Sequence, residues 1–162
     1  MSKMMKINLY GEVPCGTFTE KTEHVAFGAA LGLTDGNHGP FNEDKTVTYP
    51  VVFANAGGAY NPQTGVFTAP VKGVYFFTFS GHSLTSKAMG LQLMKNGEPV
   101  VMIYNHIDEP GRYIAASNAM NLELEKGDSV YVKLLKNTWM VDNNNNHSTF
   151  VGQLLFEDHT QR

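Results

Sequence analysis

Cysteine is nearly missing: Cys15 is the only one in 162 residues. No intrachain disulfide can form, and no Cys-x-x-Cys metal or redox pair is present. An interchain bridge through Cys15 is the one disulfide that the sequence permits, and an incidental free thiol is the alternative. Charge is sparse as well. Asp, Glu, Lys and Arg make up 17% of the chain, and 12 basic against 15 acidic residues leave a net charge of −3. That balance excludes a sequence-independent nucleic-acid binder, which needs clustered positive charge. No run of 18 apolar residues occurs, so no helical membrane span is expected. The stretch Met1–Tyr10 has two lysines but no apolar run of seven or more, so it does not read as a signal peptide. The 16 glycines never recur at every third position, which excludes a collagen stem within these residues. Also lacking is any sustained i, i+3, i+4, i+7 apolar stripe, the mark of an amphipathic helix.

What is present is alternation. Apolar residues make up 42% of the chain, enough for one domain with a full core. Residues 23–157 read as that domain, with 1–22 as a tail or linker and 158–162 as a short tail. Gly73–Phe79 puts Tyr75, Phe77 and Phe79 on one face of a strand and Val74 and Phe76 on the other, so burial on both sides is expected. Gly90–Lys95, Asn96-Gly97 and Pro99–Tyr104 form a strand, tight turn and strand, the strongest short hairpin pattern. In Asn121–Glu125, Leu122 and Leu124 alternate with polar residues. After Lys126-Gly127-Asp128, Val130, Val132 and Leu134 resume the pattern, which predicts a second hairpin. Phe150–Phe156 reads as a closing strand, while Thr34–Asp44 and Asp142–His147 read as loops. Eight or more short strands with frequent turns predict an all-β sandwich or jelly roll.

Residues that could carry chemistry are scattered. The six histidines form no H-x-H or H-E-x-x-H pair, and none neighbours Cys15, so neither a zinc site nor a thiol nucleophile is expected. There is no G-x-S-x-G and no phosphate-binding glycine loop. The adjacent acids Asp108 and Glu109 fit a solvated loop better than an acid–base pair. An enzyme is therefore not expected. Asn146-His147-Ser148 is the one permitted glycosylation acceptor, at Asn146. Trp139 lies close by and could serve as a ligand platform or a buried strand-edge residue. Arg112, Lys133 and Lys136 could steer an anionic ligand or simply solubilise the surface.

One stretch carries a specific pattern. Asn55 is followed by Tyr60 and Phe67, and then by Gly73, Tyr75, Phe77 and Phe79 as G-x-Y-x-F-x-F. This spacing resembles the signature of the C1q globular domain. The segments Gly57–Pro70, Ala116–Asn118, Leu124–Asp128 and Ser148–Gly152 are similar to that family too, so the likeness runs from about Glu23 to Phe156. Tyr49 departs mildly, since the family prefers Phe there. Gly39–Asn42 and Trp139–His147 look most like short, collagen-free C1q-like proteins of fish, close to the cerebellin-like secreted proteins.

The resemblance implies a ten-strand jelly roll like that of tumor necrosis factor, built from two antiparallel sheets. It implies a homotrimer packed through one sheet, with contacts near Val25–Ala30, Gly73–Phe79, Ala115–Leu124 and Phe150–Leu154. Tyr75, Phe77, Phe79, Phe150 and Leu154 would then be trimer or core residues. It implies secretion, no cofactor, and outer loops that bind a protein or carbohydrate ligand, with Arg112 and Trp139 as candidates. Microbial or immune ligands are the first expectation, and a receptor-binding signalling or synapse-organising role is the alternative. Calcium is not favoured. Where calcium-binding relatives carry two aspartates, this chain has Asn105 and Ile114, leaving Asp108 and Glu109 as the only nearby carboxylates that could replace them.

Overall fold

Period-two alternation and frequent turns produce strands throughout. The computed structural model describes residues 23–32 and 36–159, so Cys15 and the expected tail 1–22 lie outside the described residues. In chain order the strands are β1 (Ala26–Ala30), β2 (Gly36–His38), β3 (Lys45–Thr46), β4 (Val51–Ala56), β5 (Tyr60–Asn61), β6 (Val66–Thr68) and β7 (Gly73–Leu84). They continue as β8 (Met89–Lys95), β9 (Glu98–Asn105), β10 (Tyr113–Leu124), β11 (Ser129–Leu134), β12 (Met140–Asp142) and β13 (Thr149–Glu157). Among the described residues there is no helix. The expected all-β class and jelly-roll sandwich are what the chain adopts. Among the described residues the strand segments number thirteen, not ten, because short two- and three-residue ladders such as β3 and β5 stand apart from the long strands.

The strands form two antiparallel sheets. In the seven-stranded sheet, β10 pairs with one edge of β7 along its whole length. The other edge of β7 is shared, with β13 on its first half and β12 near its end. Beyond β13 lie β1 and then β4, and β2 lies outside β12. The six-stranded sheet runs β5, β6, β11, β8, β9, with β3 beside the far end of β11. The Asn96-Gly97 hairpin forms between β8 and β9, both turn residues taking the left-handed backbone (φ 50° and 85°) that this tight turn requires. The second expected hairpin does not form. β10 pairs with β7 in one sheet and β11 with β8 in the other, so Lys126-Gly127-Asp128 is a corner between sheets. Turn chemistry marks a reversal of the chain but not which strand will be its partner.

The core lies between the sheets. Along β7, buried and half-buried residues alternate without a break. Tyr75, Phe77 and Phe79 are fully buried, whereas Val74, Phe76 and Thr78 are only partly covered. The expected burial on both faces therefore holds for one face within a single chain. Phe67 meets Phe77 edge-on at 5.2 Å and Tyr75 at 5.5 Å, and Phe27 stacks on Tyr60 at 4.6 Å. Gly152 lies beneath these rings: an added Cβ would come within 2.5 Å of Phe27 and 2.7 Å of Phe77. Only glycine lets β13 approach the aromatic layer so closely.

The Asn55–Tyr60–Phe67 spacing now has a physical reason. The Asn55 amide clamps the Tyr60 backbone, donating to its carbonyl at 2.8 Å and accepting from its N–H at 3.2 Å. The Tyr60 hydroxyl in turn donates to the Tyr49 carbonyl and accepts from the Tyr49 N–H, both at 3.1 Å. Phe67, opposite Tyr60 in the β5–β6 ladder, carries the aromatic contact across to β7.

Candidate assembly and recognition surfaces

In an antiparallel ladder, paired residues point to the same face. The outward row of β7, Val74, Phe76, Thr78, Ser80 and His82, therefore shares a face with Glu123, Asn121, Ala119, Ser117 and Ala115 of β10. On the other side it continues into Gln153 and Val151 of β13, and then into Ala26 and Gly28 of β1. These are apolar, small or uncharged side chains, with one carboxylate, Glu123, at one end and one imidazole, His82, at the other. Among the described residues no second sheet lies on this face, and the loop carrying His147 reaches its end at Ser80 and His82. The inward row of the same strands holds Tyr75, Phe77, Phe79 and Phe150, all fully buried, with Leu154 packed against them. Of the five residues expected to serve trimer or core, four are buried within the chain and Leu154 is partly buried against them, while the alternating set between them points to the other face.

A second apolar surface lies where the sheets meet. β9 is the free edge of its sheet, and Met102 and Tyr104 on it are each 42% exposed. β10 runs beside it, tied by the Asn118 amide donating to the Met102 carbonyl at 3.1 Å. Ile114 and Met120 of β10 project on the core side of their strand yet stay exposed, at 39% and 37%. Met102 and Tyr104 alternate with the core residues of the β8–β9 ladder and face outward, so the edge where β9 meets β10 carries exposed apolar residues from both sheets.

The loops gather at one end of the sandwich. The turn at residues 85–88, between β7 and β8, is their meeting point. Thr85 donates its N–H to Arg112 and accepts at its carbonyl from Asp108, and its hydroxyl donates to the Glu109 carbonyl at 2.6 Å. On the other side, Trp139 donates its N–H to Ala88. Asp108, Glu109, Arg112 and Trp139, far apart in sequence, are thereby brought to one end. Arg112 is exposed, and the half-buried Trp139 is capped by Lys87, whose Nζ lies 3.8 Å from the ring centroid. Lys133 and Lys136 belong elsewhere, around Asp44. The Lys133 Nζ lies 3.0 Å from the Asp44 carboxylate, and the Lys136 N–H donates to it. The Lys136 bond first and Lys133 second hold the Asp44 carboxyl below its ordinary range.

Near the expected calcium position, Asp108 Oδ1 accepts from the Glu109 N–H at 2.8 Å, and the Ile114 side chain offers no oxygen. Among the described residues, no group of three His, Cys, Asp or Glu is placed to hold a metal. At Asn146 the acceptor residue is half-buried, with φ 55°. Ser148 of the same triplet is fully buried, its hydroxyl donating to the Val141 carbonyl at 3.0 Å.

No sequence motif links His82 to His147, but the fold joins them. Their ring centroids lie 4.4 Å apart, and Tyr113 stands 5.1 Å from His82 on the other side. The loop carrying His147 is knotted by Asp142, 3% exposed, whose carboxylate accepts backbone N–H bonds from Gly32, Asn143 and His147. His82, Leu84, Tyr113, Asn37 and Asp142 line a cleft of about 450 Å³ at this end of the outer face. No local signal marks a pairing between β7 and a loop after β12. The contact exists only because β12 ends beside β7.

The residues match a family description. A model of the C1q domain aligns with residues 26–155. The chain belongs to the C1q domain family. It is 36% identical over 118 residues to complement C1q tumor necrosis factor-related protein 3 of Mus musculus, covering 72% of this chain and 47% of that protein. It is 32% identical over 139 residues to complement C1q tumor necrosis factor-related protein 6 of Mus musculus, covering 83% of this chain and 51% of that one. The chain thus spans about half the length of the curated relatives it matches. Among solved structures, the globular domain of zebrafish complement 1qA superposes with a TM-score of 0.67 at 22% identity, over 84% of this chain and all of that one. Murine APRIL superposes at 0.63 and 14% identity, over 82% and 100%, a likeness of fold. No helix among the described residues is long and apolar enough to cross a membrane.

Proposed function

We propose that this C1q-domain protein is a secreted, non-enzymatic recognition module that works as a homotrimer and takes its ligand at the loop end. The observation that carries the assembly is the coexistence of two different surfaces that no sheet among the described residues covers. A closed ring of three copies needs a heterologous contact, in which one patch of each copy meets a different patch of the next. The outer face of the seven-stranded sheet, with Glu123 its one carboxylate, supplies one patch, and the exposed edge of β9 and β10 supplies the other. Packing one into the other around a threefold axis would satisfy both at once. An obligate interface of this kind buries well over about 2,000 Å². Light scattering at micromolar concentration should give three times the chain mass of 17.8 kDa, and a stable monomer would refute the reading.

Recognition falls to the loop end because a ring places its three sets of loops side by side, so that weak sites act together. Arg112 and the Lys87–Trp139 pair are the side chains proposed to meet the ligand there. Microbial-surface and immune ligands are the proposed class, a role in innate immunity. Binding to immobilised bacterial polysaccharide, reduced by Arg112→Ala with the trimer intact, tests it. Binding to receptor ectodomains and to no polysaccharide would instead support the signalling reading.

A further inference from the structure

We infer that the assembly carries an acid-sensitive latch: His82 and His147, paired at the loop end of the outer sheet face, hold the copies together while neutral and loosen them when protonated. The inference rests on the reading that this face packs against a neighbouring copy. His82 stands in the same outward row as Val74, Phe76 and Thr78, so its ring belongs to the packing face and not to the core. His147 lies against it at 4.4 Å.

The surroundings decide what protonation does. From β10, Tyr113 faces the ring at 5.1 Å, a neutral phenol, and the paired residue Ala115 carries no charge. Arg112 precedes Tyr113 and can only add positive charge. From the end of β12, Asp142 attracts an imidazolium, but its carboxylate is already held by three backbone N–H groups. From β2, Asn37 lines the cleft, and its amide oxygen is taken by Lys87, a further cation. The Nδ1 of His82 is buried with no acceptor in reach. A second charge at 4.4 Å therefore meets repulsion with little compensation. Burial first, and the His147 charge second, push the His82 pKa down, with Asp142 opposing. Packing a neighbour over the pair removes more water, so the neutral form is the one that fits the interface. On acidification the separated copies take up the protons and the assembled ones resist. One proton per contact weakens association up to about tenfold for each pH unit below the free value.

The experiment is sedimentation equilibrium at pH 7.5 and 5.5, with near-ultraviolet circular dichroism at both to confirm an intact core. The concentration at half-dissociation should rise about tenfold at pH 5.5. His82→Asn and His147→Asn should each flatten that rise. His38→Gln, on the core side of β2 opposite Met140, should leave it unchanged. His147 is an exposed loop residue, so its variant stays informative if His82→Asn fails to fold. A trimer equally stable at both pH values, or a rise undiminished in the His147 variant, would overturn the latch while leaving the assembly intact. A monomer at pH 7.5 would overturn both.

Discussion

Tyr49 and Tyr60 touch in the core, and removing each hydroxyl should move stability in opposite directions. Tyr49 is fully buried, and its hydroxyl has no hydrogen-bond partner. What Tyr49 gives the fold is its ring, tilted against Phe150 at 5.8 Å, and its backbone, which both donates to and accepts from the Tyr60 hydroxyl. Tyr49→Phe keeps all of this and deletes a polar atom stripped of water. An unpaired buried group costs about 1–3 kcal/mol, offset slightly by the lost dispersion of one oxygen. A gain of about 1–2 kcal/mol follows, or about 3 °C in Tm per kcal/mol for a domain of this size. Tyr60→Phe strands the Tyr49 N–H and carbonyl in the core and should cost about 1–3 kcal/mol. Burial also pushes the Tyr49 phenol far above its ordinary value of 10. The native state keeps the proton while the unfolded chain loses it. Stability is therefore complete below pH 10, falls as pH rises beyond it, and should fall less steeply in Tyr49→Phe. Thermal and urea melts at matched concentration measure both variants. A Tyr49→Phe variant less stable than the parent by more than about 0.5 kcal/mol would refute the reasoning, because the hydroxyl must then have a partner.

Phe77→Ala should lose about 3–5 kcal/mol, since a fully buried ring against Phe67 and Phe150 leaves a cavity that a β-sandwich cannot close; a melt within a few degrees of the parent would contradict it. Millimolar calcium and excess EDTA should give the same melting temperature, because a ligand stabilises only the state it binds. A large upward shift with calcium, abolished by Asp108→Asn with Glu109→Gln, would place an ion on those carboxylates after all. Burial first, and Lys45 second, hold the His38 imidazole below its ordinary 6.5. The unfolded chain takes the proton first, so stability is complete above pH 6.5 and falls as pH drops below it. Urea midpoints from pH 7.5 to 4.5 should therefore fall less in His38→Gln than in the parent.

Where the signal was local, the sequence was readable. Asn96-Gly97 needs no more than two left-handed residues between alternating strands, and the hairpin forms as expected. Lys126-Gly127-Asp128 looked equivalent, yet its flanking strands enter different sheets, because partner choice depends on where β7 and β8 lie. The apolar residues on both sides of Gly73–Phe79 were visible as a pattern. Which row the chain's own second sheet covers was not, and that distinction separates core from packing face. Arg112 and Trp139 carried no sign that they would flank one turn, and His82 with His147 none that they would meet. Such contacts come from the order of strands in the sheet, which a single sequence does not display.

Assembly depends most on the outer face of the seven-stranded sheet being an interface. Val151 lies at its centre, between Gly28 of β1 and Thr78 of β7, and faces away from the core. Sedimentation velocity of Val151→Arg, compared with the parent, tests this directly. The parent should sediment at three times the chain mass, and the Val151→Arg variant as a folded monomer with an unchanged near-ultraviolet spectrum. A variant that remains trimeric would show that the copies meet elsewhere and that this face is not the interface.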